Sequence, residues 1–367
     1  GLVGDFLLMD LKKIYMHFNI INYNIHNLKC MGLVARYFKM LLYFFLAPVI
    51  LLVCYAIFVR LLKQKSKTLD GRHVVITGGS SGIGKSAAFE AAALGAHVTV
   101  ISRNVGNLEK TVSEVLKHCK DRQKQKIQYL SLDVTGDYDN IKKELTTLEE
   151  NVGPIYMLIN CAGQAVCGRL EDMSADDVKF MIDLNYFGTA YPTKAILGSM
   201  KSRGEGIIVL VSSGAGLIGV YGMGAYGASK WAVRGLGEAL LMEVIGTGVS
   251  VTISYPPDTD TPGFKIEEQT KPVETRLISE SGGLVTSEEV AKKLIVDALD
   301  GKTYSVLGFE SWMLANLCIM SFGGAISSLW QASTIGIIRL VYAAYQFHFA
   351  SIVLRCRREK ETNKKAE

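Results

Sequence analysis

The sequence predicts an open α/β fold, a parallel sheet of about seven strands with helices on both faces, and three observations point there. Seven short runs rich in β-branched residues recur between residues 73 and 308: HVVIT (73–77), HVTVIS (97–102), IQYLSLD (127–133), IYMLIN (155–160), GIIVLVS (206–212), VSVTISY (249–255) and YSVLG (304–308). Stretches of helical length separate them, over 84–95, 105–118, 138–150, 175–200, 224–245 and 286–299. This regular alternation argues for parallel strands, because each helix carries the chain back across the sheet. The third observation is a glycine-rich turn, TGGSSGIGKS (77–86), which follows the first strand and opens the first helix.

Composition narrows the class. Of 367 residues 49% are hydrophobic and 20% charged, enough for one large domain with additions and too apolar for a disordered chain. The net charge is +5, and much of the basic excess sits in Arg355, Arg357, Arg358, Lys360, Lys364 and Lys365, which argues against nucleic-acid binding. The seven scattered cysteines include no C-x-x-C pair, so neither a disulfide framework nor a metal site is expected, and a reducing compartment fits.

Both ends of the chain are apolar additions. Residues 1–39 read as an N-terminal extension without assigned function, with Met31 or Met40 as candidate natural starts. Residues 40–59, MLLYFFLAPVILLVCYAIFV, carry no charge. At ~1.5 Å per residue they reach roughly 30 Å and read as a transmembrane anchor. The dinucleotide-binding catalytic domain is placed at 70–308, including a substrate lid at 257–285. Residues 311–354 are apolar again, and two membrane passes, a re-entrant or surface-lying segment and a helical dimer interface all stay open, as does a homo-oligomer. Gly323, Gly324, Ser327 and Ser328 suit close helix contact in lipid. Residues 355–367 form a basic tail.

The glycine-rich turn suits a diphosphate. Gly78, Gly82 and Gly84 let the backbone turn tightly and approach a ligand without Cβ obstruction, with Ser80, Ser81 and Ile83 beside them. The helix that follows offers unpaired N–H donors and the positive end of its dipole. An NAD site of this Rossmann type carries an acid at the end of the second strand to hold the ribose hydroxyls. Here that strand ends in VISRN, with Arg103 and no acid, which favours NADP over NAD because a guanidinium suits the 2′-phosphate.

Tyr226 and Lys230, in AYGASKWAVRG (225–235), lie four residues apart and share one helix face. A free phenol has a pKa of about 10, and a neighbouring ammonium favours the phenolate, tuning it as a proton donor and acceptor. Ser212 and Ser213 end a strand thirteen residues earlier, where a hydroxyl can hold a substrate carbonyl at the carboxyl edge of the sheet. Asn160 ends the preceding strand in INCAG (159–163). Asn185 sits inside an expected long helix, a poor location on propensity grounds.

Together the T-G-x-x-x-G-x-G turn, N-x-A-G, the helical Asn, the Ser and Y-x-x-x-K resemble the short-chain dehydrogenase/reductase family over roughly residues 70–308. That resemblance implies hydride transfer between NADP and a carbonyl or alcohol carbon, on a Rossmann-type doubly wound sheet. It assigns Tyr226 as general acid, Ser213 as the group that positions the carbonyl and Lys230 as the ligand of the nicotinamide ribose that lowers the tyrosine pKa. It also has Asn185 holding a water in the proton relay, Asp133 near the adenine, Asn160 near the cofactor ribose, and Pro256 and Thr259 beside the cofactor. Two departures stand out: Cys161 is second in N-C-A-G, and Pro257 occupies a position the family gives to glycine.

The runs SYPPDTDTPGF (254–264) and TKPVETRLISE (270–280) resemble one branch of the family, implying a sphingoid-base ketone as substrate and sphingolipid synthesis as its setting. The runners-up are a membrane-bound steroid or retinoid reductase and, in another class, a dinucleotide sensor without turnover, from which loss of Tyr226, Lys230 or Ser213 would be expected. Membrane lipid is an expected partner. Arg60, Lys63, Lys65 and Lys67 after the anchor, against Arg36 and Lys39 before it, place the catalytic domain in the cytosol. The terminal NKKAE resembles a dilysine retrieval signal and implies the endoplasmic-reticulum membrane.

Overall fold

The computed structural model describes residues 67–280, 283–318 and 325–366, together with isolated positions 16, 43 and 50. The extension 1–39 and the anchor 40–59 therefore lie outside the described residues but for those positions. The chain divides at residue 65, and the unit Ser66–Glu367 carries the architecture below.

All seven expected strands form. They are β1 (His73–Thr77), β2 (His97–Ser102), β3 (Ile127–Ser131), β4 (Ile155–Asn160), β5 (Gly206–Val211), β6 (Val249–Tyr255) and, after a two-stranded side pair, β9 (Tyr304–Val306). They build one sheet in the order β3-β2-β1-β4-β5-β6-β9 with every neighbouring pair parallel. The order reverses between β1 and β4, which opens a crevice at their carboxyl ends. In register there, Thr77 faces Ile101 of β2 on one side and Asn160 of β4 on the other.

The sheet is buried on both faces, which is why its strands read as continuous apolar runs. Val74 and Ile76 point to one face, where they meet alanines 87, 88, 91 and 92 of α1 (Gly82–Ala93) and Leu294 and Ile295 of α9 (Ser287–Leu299). Val75 points to the other, against Ile141 and Leu145 of α3 (Tyr138–Val152), Ile196 and Met200 of α5 (Gly188–Arg203) and Val233 of α6 (Gly224–Glu243). The two-residue strand period sorts each run into these layers. Helix starts follow capping chemistry: Asn104 caps α2 (Val105–Val115), Asp137 caps α3, Ser174 caps α4 (Ala175–Ile182), and Thr286 forms a capping box with Glu289 on α9.

Three departures from the expected elements matter for the site. The expected helix 175–200 is broken: α4 passes into a π-helical turn, Asp183–Phe187, before α5 begins. Such widened turns insert a residue into a helix and are frequent at functional sites. Thr189 Oγ1 donates to the carbonyl of Asn185 inside it (2.8 Å), and Thr193 Oγ1 donates to that of Thr189 (2.8 Å). Side-chain hydroxyls thus meet carbonyls in a stretch where Pro192 has no N–H to offer.

The second departure is the lid. Residues 257–285 fold into β7 (Thr259–Asp260), α7 (Pro262–Thr270) and α8 (Val273–Ser279), and β7 closes the excursion by pairing with β8 (Val285–Thr286). The third is the carboxyl end. There α10 (Phe309–Cys318) is followed by one long helix, α11 (Ala325–Ala366), which runs from segment 311–354 into the tail. Its stretch Thr334–Asn363 is long enough to cross a membrane and holds 18 consecutive residues of mean hydropathy 1.4. Along one side α11 rests on the domain. Ile352 and Cys356 pack with Ile278 of α8, Tyr345 donates to Glu310 (3.1 Å), and Lys360 pairs with the buried Glu274 (2.7 Å).

Candidate active site

A cleft of about 460 Å³ opens at the carboxyl ends of β1, β4 and β5, where the strand order reverses. Its floor is built by backbone. Gly78 and Gly82 have φ of +64° and +51°, a region that glycine enters without penalty. A Cβ on Gly78 would lie 2.8 Å from the Ala162 backbone, and one on Gly84 would lie 2.4 Å from the Gly78 carbonyl oxygen. Gly84 is therefore not a cleft residue; it lets α1 press against the turn. Thr77 Oγ1 accepts the N–H groups of Cys161 and Ala162 (3.2 Å each), tying the first turn to N-C-A-G.

This floor fits a dinucleotide. The first turn of α1 holds no acid, and the side chain of its capping residue Ser81 makes no capping bond, leaving the N-terminal donors free for a diphosphate. Ser80, Ser81, Gly82, Ile83, Arg103, Asp133, Pro256 and Thr259 all line the cleft. Ser80 is held by Ser102 (3.0 Å) at the end of β2. Arg103 is exposed and, among the described residues, pairs with no carboxylate, so its guanidinium stands free for a phosphate. Burial raises the Asp133 carboxyl pKa, but its hydrogen bonds from Thr135 and the nearby Arg103 outweigh this and hold it below its ordinary value.

Ser213, Tyr226 and Lys230 meet on one wall. Ser213 caps a short turn and lies beside Tyr226, holding its pKa down, whereas Ser212 is buried and donates to the Lys230 carbonyl (2.9 Å). The two neighbouring serines thus divide: one faces the chemistry and one fastens α6 to β5. Lys230 Nζ donates to the Val211 carbonyl (3.0 Å) and stands 5.8 Å from the centre of the Tyr226 ring. Burial is the largest influence on both groups. It pushes the phenol above its ordinary value, helped by the carboxylate of Glu267 and opposed by Ser213, and it lowers Lys230 to about 8. The net direction for Tyr226 is opposite to that expected from the pairing, because desolvation outweighs an ammonium that is aimed at a backbone carbonyl.

Two expected site residues lie behind the cleft surface. Asn185 is fully buried in the π turn. Its amide donates to the Gln164 carbonyl (3.0 Å) and to Ser229 (2.9 Å), while its oxygen accepts the Gln164 N–H (3.0 Å). It holds the Gly163–Gln164 backbone beside Lys230, where a Cβ on Gly163 would sit 2.8 Å from Asn185 Oδ1 and 3.1 Å from Lys230 Nζ. Asn160 is buried: its amide donates to Thr193 (3.0 Å) and to the Val209 carbonyl (3.4 Å), bracing β4 against α5 and β5.

The far wall was foreseen only where the lid forms it. Ile278 of α8, Met313 and Leu314 of α10, and Tyr342, Tyr345 and Phe349 of α11 extend the same cleft as an apolar surface. Asp258 and Glu267 line it between that wall and Tyr226. Nothing in the local sequence marks the residues of α10 and α11, since they converge from separate helices.

Comparison with known proteins places this geometry. The short chain dehydrogenase family matches residues 72–272. The 3-ketodihydrosphingosine reductase of Bos taurus is 43% identical over 302 residues, covering 82% of this chain and 91% of the relative. The 3-dehydrosphinganine reductase of Danio rerio is 43% identical over 309 residues, covering 84% and 93%. Among solved structures, an alcohol dehydrogenase from Thermococcus sibiricus complexed with 5-hydroxy-NADP superposes with a TM-score of 0.55 at 25% identity, covering 64% of this chain and 95% of that one.

Proposed function

We propose that this chain, which belongs to the short-chain dehydrogenase family, reduces the C3 ketone of 3-ketosphinganine to sphinganine with NADPH. The observation that carries the reading is one continuous cleft, with the Ser213–Tyr226–Lys230 cluster between a dinucleotide floor and an apolar wall. The relatives' names supply the ketone, and the wall gives its long alkyl chain a place to lie. The glycine turn, Arg103 and Lys230 would hold NADPH, which supplies a hydride when bound. Ser213 fixes the carbonyl oxygen and Tyr226 gives its proton to the oxygen as negative charge develops there. A phenol held above its ordinary pKa is protonated at neutral pH, the state a reduction requires of its general acid. The Lys230 ammonium beside the ring then offsets the charge left on the phenolate.

Residence at the endoplasmic-reticulum membrane with the catalytic unit in the cytosol belongs to the same proposal, supported by the apolar part of α11 and by the basic residues Arg60, Lys63, Lys65 and Lys67. The test of function is NADPH consumption by the detergent-solubilised protein offered 3-ketosphinganine, with steroid and retinal carbonyls in parallel. Consumption with the sphingoid ketone is expected; consumption with a steroid or retinal alone would overturn the substrate.

A further inference from the structure

Between Tyr226 and the apolar wall lies a charge cluster that the reduction of a plain ketone leaves without purpose. The Lys271 side chain is fully buried, and three carboxylates gather on its ammonium: Glu268 at 2.6 Å, Glu267 at 2.9 Å and Asp258 at 3.6 Å. Arg276 also reaches Glu268, at 3.9 Å, so that carboxylate has two cations. Glu267 and Asp258 share what remains of one. Glu267 Oε1 is held by the Lys271 ammonium, whereas Asp258 Oδ2 is buried 3.6 Å from it and accepts no hydrogen bond; both residues line the cleft. A buried acceptor without a donor is costly, as is a negative excess beside apolar walls. A structural ion pair accounts for Lys271 but not for the surplus carboxylate.

The position of Glu267 is fixed by its helix. Thr270, one turn further along α7, donates to the Glu267 carbonyl (3.2 Å) and accepts the backbone N–H of Cys167 (3.2 Å). Cys167 packs with Met223, Ala215 and Tyr226. Glu267 is also the strongest charge acting on the Tyr226 hydroxyl, with Asp258 next among the carboxylates. Both carboxylates line the same cleft as Tyr226 and Ser213, where a carbonyl would be protonated.

On the substrate reading above, the carbon next to the ketone carries a primary amine. An amine beside a carbonyl resembles a peptide α-amino group, with a pKa of about 8, and is mostly cationic at neutral pH. We infer that Glu267, seconded by Asp258, receives this ammonium and makes the site selective for α-amino ketones. The contact brings a second cation to two carboxylates that share one, through a charge-assisted hydrogen bond. It also sets which way the ketone faces, since ammonium on Glu267 and carbonyl on Ser213 and Tyr226 are two fixed points on adjacent carbons.

The test uses the full-length protein in detergent with NADPH and two ketones: 3-ketosphinganine, and 1-hydroxyoctadecan-3-one, which lacks only the amine. Wild-type protein is expected to show kcat/KM roughly 10- to 100-fold lower for the second ketone, the range for a lost hydrogen bond to a charged group. In Glu267→Gln the ratio between the two ketones is expected to collapse toward one. Equal use of both ketones by the wild type overturns the inference and leaves the substrate proposal standing, and needs no variant to fold. A Glu267→Gln protein that keeps the full preference for the amine also overturns it. Reduction of neither ketone, with activity on a steroid or retinal, overturns both readings.

Discussion

The two halves of the cleft are built on different principles. The floor of the cofactor half is made of backbone, with glycines at positive φ, strand ends in register and the open N-terminus of α1, and Arg103 is the side chain added at its edge. The substrate half is made of side chains from α7, α8, α10 and α11, separated by up to a hundred residues of chain. A backbone site tolerates almost no change, because added atoms collide with main chain that cannot move aside. A side-chain site can be retuned one residue at a time, so specificity is concentrated in that half.

That contrast is open to attack from either side. The largest effect is expected at Gly78. Valine there would force a β-branched residue to φ +64° with its Cβ 2.8 Å from the Ala162 backbone, so NADPH affinity measured by fluorescence titration should fall at least about 100-fold. Next comes Arg103→Glu, which places a carboxylate where the 2′-phosphate is expected. The NADPH-over-NADH ratio in kcat/KM should fall roughly 10- to 100-fold, with little change in turnover at saturation. In the substrate half, Phe349→Ala should raise KM for the long-chain ketone about tenfold and leave KM for NADPH unchanged. If Phe349→Ala instead weakened NADPH, the division into two halves would fail.

The smallest expected effect sits at the boundary. Lys230 has its pKa lowered from 10.5 to about 8 by burial, so its ammonium is present below that pH and lost above it. Since kcat/KM reports ionisations of the free enzyme and the free substrate, it is measured with the amine-free ketone, and should fall about fourfold between pH 7 and pH 8.5. A flat profile over that interval would place the Lys230 ionisation elsewhere.

The same division explains what could be read from the chain. The seven strands were legible because a sheet covered on both faces turns each strand into a continuous β-branched run. Tyr226 and Lys230 were legible because a four-residue spacing fixes one helix face, and Arg103 because it ends β2 where an acid would otherwise stand. The lid helices were not, since α7 starts at Pro262 and α8 follows Pro272, and both prolines read as loop punctuation. Asn185 was noticed as a misfit in a helix, yet the π turn that explains it depends on Gln164 and Ser229, which lie far off in sequence. Asn160 sits in a recognisable motif, but only the packing of α5 shows its amide facing inward. The Lys271 cluster and the α10–α11 wall carry no local signal, because contact alone assembles them.

The central claim is that Tyr226, set between Ser213 and Lys230, protonates a ketone beside bound NADPH. Tyr226→Phe tests it most directly, since it removes one oxygen and leaves the ring packed against Cys167 and Met223. Sphinganine formation from 3-ketosphinganine should fall at least about 100-fold, within the range that general acid catalysis contributes, while NADPH binding by titration stays near wild type. A phenylalanine variant that turned over at close to the wild-type rate would contradict the account.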